Sequence, residues 1–86
     1  MSENMEDVIR TPEMDLATLF VMRGIEPIGW DNMDGRIFLK FPNTMEGKKV
    51  LADYEGGTFI RLPDFGRARR RVKKIIYMDA KGAKNE

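Results

Sequence analysis

The stretch Gly35-Arg36-Ile37-Phe38-Leu39-Lys40-Phe41 decides the fold. β-Branched and aromatic residues are concentrated in it, and apolar and basic side chains alternate. At two residues per pleat repeat, Ile37, Leu39 and Phe41 share one face, while Arg36, Phe38 and Lys40 share the other. One wholly apolar face and one mixed face describe an inner strand of an antiparallel sheet with helices on its apolar side.

Working outward, Asp31-Asn32-Met33-Asp34-Gly35 reads as a hairpin loop, with Asp-Gly as its strongest turn signal. Ile25-Glu26-Pro27-Ile28-Gly29-Trp30 precedes it as an edge strand or a bulge, because Pro27 cannot donate a ladder hydrogen bond and Gly29 weakens pairing. Further back, Thr11-Pro12-Glu13 starts a helix: a hydroxyl to cap, a proline at the first helical position, an acid in the first turn. That helix runs to Arg23 and stops at Gly24. Leu16, Ala17, Leu19, Phe20 and Val21 cover more than half its circumference, which leaves Asp15 and Thr18 to water and makes it the main core helix. Val8-Ile9-Arg10 is a short first strand.

Downstream, the decisive strand ends at Phe41-Pro42. Asn43, with Glu46 three residues on, has the form of a capping box and opens a second helix with an apolar stripe of Val50, Leu51 and Tyr54, closed by Gly56-Gly57. Thr58-Phe59-Ile60-Arg61-Leu62 is a short strand or an extended connection. Pro63-Asp64 starts a third helix. At 100° per residue, Phe65, Ala68, Val72, Ile75 and Ile76 form one stripe; Arg67, Arg70, Lys73, Lys74 and Tyr77 lie opposite, with Arg69 and Arg71 at the boundaries. The order β-α-β-β-α-(β)-α is that of an α+β two-layer sandwich, a small antiparallel sheet packed by helices. The expected organisation is a single domain over residues 8–79 between a disordered N-terminus, 1–7, and a disordered tail, 80–86.

The 86 residues provide one small core. The absence of Cys and His removes disulfides, thiol nucleophiles, imidazole bases and the usual transition-metal ligands. A polar, acidic N-terminus and the lack of a long apolar run point to a cytoplasmic protein with no membrane association. The net charge of +1 conceals segregation: acids dominate the first fifteen residues, whereas Arg67 to Lys74 holds six cations and no acid.

The spacing Thr11…Asp15-Leu16-Ala17…Leu19…Gly24, Gly35-Arg36…Phe38…Phe41, Asp53-Tyr54…Gly57 and Pro63…Phe65…Ala68…Lys73…Ile76-Tyr77 is similar to a family of small bacterial and phage domains catalogued as a domain of unknown function. That family is marked by a Thr-x-Asp-Leu-x-Leu-Ala helix, a Phe-x-Phe strand, an Asp-Tyr step and a closing Leu-Lys…Tyr helix. This chain departs from it at Thr18, where the family carries an apolar residue, at Val72, which replaces the leucine before the lysine, and in its dense arginine run. The resemblance implies a bacterial or phage source, hence the cytoplasm of a bacterium or an infected host cell, and supplies no catalytic residues. A weaker one also exists: residues 35–41 resemble the third-strand octapeptide of the RNA-recognition motif, in which aromatics stack bases. Arg36 stands at one of those aromatic positions and only Phe38 matches.

The sharpest functional signal is Arg67-Ala68-Arg69-Arg70-Arg71-Val72-Lys73-Lys74. Such a helix face suits the DNA or RNA backbone, where neutralised phosphates release counterions, or an acidic protein partner; the bland alternative is a solvated helix face. Arg36, Phe38 and Lys40, joined by Trp30, form a second candidate: an aromatic flanked by cations, as single strands are held, unless a helix or second subunit covers it. Trp30 and Met33, one of seven methionines, are candidates for protein interaction, including homodimer formation. The acids Glu13, Asp15, Asp31, Asp34, Asp53 and Glu55 match no calcium-loop spacing and serve as caps and turns. The expected function is a non-enzymatic binding module without cofactor or metal, directed to nucleic acid through the third helix, with a protein-interaction module as the alternative.

Overall fold

The structure, a computed structural model, describes residues 7–80. The segments expected to be disordered, 1–7 and 80–86, lie outside the described residues apart from Asp7 and Ala80. In chain order the elements are β1 (Val8–Thr11), α1 (Met14–Met22), β2 (Gly29–Met33), β3 (Arg36–Pro42), α2 (Met45–Gly56) and α3 (Leu62–Lys74), which continues as a π-helical segment, Ile75–Ala80. The strands form one antiparallel sheet in the order β1-β3-β2, so the fold is a small α+β one with the alternating stretch at its centre.

Ile37, Leu39 and Phe41 are buried, Phe41 completely. Against them lies α1, whose Phe20 ring stacks on Phe41 with centroids 4.2 Å apart and planes 7° from parallel. Leu16 and Leu19 of α1, Val50 of α2 and Val72 of α3 complete the same cluster. Each large side chain of this cluster stabilises by about 1.5–3 kcal/mol on burial, so the cluster built on this face of β3 supplies the main favourable term. All three helices meet the sheet on that face; among the described residues, no helix covers the other.

The helix boundaries follow local chemistry, with some departures from expectation. Thr11 is the last residue of β1 and not a helix cap; its Oγ1 accepts from the Glu13 N–H at 2.9 Å and orders the turn before α1 begins at Met14. Thr18, expected in water, is buried in a helix that packs closely against α3. Its hydroxyl donates to the Met14 carbonyl at 2.7 Å and so remains satisfied inside. Gly24 ends α1 as expected: at φ +85° it and Ile25 donate back to Val21 and Phe20, both at 2.9 Å. The cap of α2 is Thr44 instead of Asn43, its Oγ1 accepting from the Gly47 N–H at 3.1 Å.

The hairpin is tighter than the five-residue loop expected. Asp34 and Gly35, both at positive φ, make a two-residue turn, and Asn32 Oδ1 accepts from the Gly35 N–H at 2.9 Å. Asp31, Asn32 and Met33 therefore belong to β2 and face Phe38, Ile37 and Arg36. Residues 25–27 precede the ladder, where the missing N–H of Pro27 costs nothing, and the Ile28 N–H donates to the Lys40 carbonyl at 2.7 Å. The optional strand at 58–62 does not form: residues 57–61 are a connection without a ladder partner, and Leu62 begins α3.

On the uncovered sheet face, Asp31 of β2 reaches across β3 to β1. It accepts from Arg10 Nε at 2.8 Å and lies 3.6 Å from Lys40 Nζ. The hydrogen bond from Arg10 holds its carboxyl below the ordinary value of 3.8; partial burial opposes this, and the charges of Lys40 and Arg10 add to it.

Two tests follow from this layering. Urea unfolding should show Phe41→Ala costing about 3–5 kcal/mol, as expected for an aromatic removed from a core, and Phe38→Ala on the opposite face costing roughly 1 kcal/mol or less; similar losses would contradict the assignment of faces. Because the folded-state value of Asp31 is depressed, its contribution to stability is present above the unfolded value and is lost as pH falls through the folded one. The gap in melting temperature between wild type and Asp31→Asn should therefore be open at neutral pH and close at about pH 2; a gap independent of pH would contradict it.

Candidate nucleic-acid interface

The third helix starts where Pro63 fixes φ in the first turn and Asp64 complements the dipole, although Arg61 at the N-cap position makes no side-chain cap. Ala68 and Val72 are buried, and Phe65, Ile75 and Ile76 are half-buried along the same stripe. The helix is thus fastened by its apolar side, as the periodicity predicts, and its charged side is turned to solvent.

The six cations of the run do not behave alike. Arg67 pairs with Asp64 one turn earlier. Arg71 grips Glu26: its Nε lies 3.0 Å from both carboxylate oxygens and its Nη2 2.6 Å from Oε1. That forked pair ties the second half of α3 to the segment leading into β2, and it assigns Arg71 to docking the helix and not to receiving a ligand. Arg69, Arg70, Lys73 and Lys74 are exposed and have no carboxylate partner among the described residues. They are two i,i+4 pairs, Arg69 with Lys73 and Arg70 with Lys74, each about 6 Å apart along the axis. The result is a two-by-two array of positive charge on the solvent side of the helix.

The sheet residues are not brought to this array. Arg36, Phe38 and Lys40 do share one face, but it is the one away from the helices. Lys40 is engaged by Asp31, and Phe38 is half-buried. Trp30 does not join them: it pairs with Leu39 and so lies on the helix side of the edge strand β2. There, still 40% exposed, it shares the wall of a groove of about 250 Å³ with Ile28, Arg71 and Ile75. A base-stacking platform on the open face therefore keeps one aromatic, Phe38. Met33 ends β2 opposite Arg36 and is exposed on that face.

The Arg67–Asp64 pair was readable from its i,i+3 spacing. The Arg71–Glu26 pair was not: its partners are 45 positions apart, and no local pattern links them.

No helix among the described residues is long and apolar enough to cross a membrane. No curated protein and no solved structure matches the chain. Of the positions that carried the family resemblance, Leu16, Ala17, Leu19, Phe41 and Ala68 are buried and Gly24 fixes a turn, so a family match speaks first to the fold. The family described as Domain of unknown function (DUF5659) matches over residues 6–78, nearly the whole described chain, and the chain belongs to it.

Proposed function

We propose that this domain binds nucleic acid, without catalysing a reaction on it, through the outward face of α3. The observation that supports this reading is the array of Arg69, Arg70, Lys73 and Lys74, exposed and unpaired on a helix whose other side is anchored by Val72. A fixed helix holds its cations at set spacings, so phosphates are met without first ordering a flexible segment. Arg67 adds charge at the rim at the cost of releasing Asp64, and Arg36, Phe38 and Lys40 on the opposite face make no contribution to this site. The contacts of the array are chiefly to phosphate, so recognition is weakly dependent on sequence. The bacterial or phage setting implied by the family resemblance, and the cytoplasmic location expected from the sequence, suit such a role.

Counterion release sets the test. With four phosphates neutralised, the logarithm of the association constant should fall against the logarithm of salt concentration with a slope of about −3 to −4 on duplex DNA. Fluorescence anisotropy with mixed-sequence duplex and single-stranded 20-mers should show about micromolar binding at low salt. Arg70→Ala, Lys73→Ala and Lys74→Ala together should reduce the magnitude of that slope by about 2.7, while the melting temperature stays close to that of wild type. Unchanged affinity and slope in the folded triple variant would overturn the proposal.

A further inference from the structure

The connection between α2 and α3 leaves large apolar side chains in water. Phe59 is 102% exposed, Leu62 76%, and Tyr54 and Ile60 are each exposed by more than a third. Beside them is a groove of about 290 Å³ walled by Leu19, Tyr54, Ile60 and Phe65, with Asp15 and Asp53 also in its wall. Asp53 is held by Arg23 at 3.0 Å. Asp15, exposed in the first turn of α1, has no cation partner among the described residues. A contiguous apolar patch on a small domain marks an interaction surface more often than chance exposure does.

We infer that this patch joins two copies of the chain about a two-fold axis, the Phe59 of each entering the groove of the other. Knob and hole lie side by side on one surface, and a self-complementary patch of that kind is what an isologous contact requires. Size agrees: a closed apolar cavity of about 150 Å³ accepts benzene, so the open groove admits a benzyl side chain. Charge agrees as well. Arg61 is two residues beyond Phe59 in the same connection, with its own backbone extended. Its side chain is 78% exposed, with only a loose 3.6 Å approach to Asp64. As Phe59 enters the groove, Arg61 is carried towards the Asp15 of the second copy. The apolar side chains involved offer roughly 400–500 Å² per copy, near the lower bound for a specific interface, so the dimer is a weak one with a dissociation constant of about micromolar or higher. This inference does not depend on what α3 binds.

Sedimentation equilibrium of the full chain from about 5 μM to 500 μM tests it, with thermal melts confirming that each variant is folded. Wild type should pass from monomer to dimer across that range. Phe59→Asp should weaken association at least about tenfold with its melting temperature unchanged, since the side chain touches nothing in its own chain. Asp15→Arg and Arg61→Asp should each weaken it, and the two reversals combined should restore association to within about threefold of wild type, because only residues meeting across the interface rescue one another. A wild-type monomer throughout, even one that engages a different protein through this patch, would overturn the inference. So would association unaffected by Phe59→Asp, or a double reversal no better than the single ones.

Discussion

The stacking of Phe20 on Phe41 joins the first helix to the central strand, and the rest of the molecule depends on it. The two rings bring α1 onto the apolar side of β3, and that placement decides where everything else packs: α2 adds Val50 to the cluster and α3 adds Val72. With few residues available, a domain of this size has one core, and it lies on one side of the sheet. The alternation in β3 is therefore a constraint on the whole fold. A shift of register by one residue would bury Arg36 and Lys40 and expose Ile37 and Leu39.

One-sided packing divides the charges between two surfaces. On the open side of the sheet, Arg10 and Lys40 are drawn together by Asp31, which makes that face an internal ionic tie across three strands. On the helical side, Arg71 is committed to Glu26, and the four cations beyond Arg67 are left to solvent. The same helix begins at Leu62 in the exposed apolar patch and reaches Arg70 about 12 Å further along its axis. Association through the patch and phosphate contact through the array can therefore occur together, and a dimer would present two cationic helices in a fixed relation.

Features set by local periodicity were legible in the sequence. The faces of β3, the stripe of α3 from Phe65 to Ile76, and the stop at Gly24 each arise from residues within a turn or two of one another. Features set by tertiary contacts leave no such local pattern. Thr18 looks like a solvent position on a helical wheel and is buried in a helix that packs closely against α3. Asp31, Asn32 and Met33 have the composition of a loop, whereas the two-residue turn at Asp34-Gly35 draws them into the ladder of β2. That shift alone moved Trp30 to the other side of the sheet. The candidate interface was legible as a run of cations, but only the fold separates Arg71, held by a carboxylate far away in sequence, from the four that remain unpaired.

The most direct measurement of the central claim is an NMR titration of the isotopically labelled domain with a short DNA duplex. Amide and side-chain shifts should move at Arg69, Arg70, Lys73 and Lys74 and on the exposed turns around them, while Arg36, Phe38 and Lys40 stay still. Shifts confined to the open face of the sheet, or a spectrum unchanged at millimolar DNA and low salt, would contradict it.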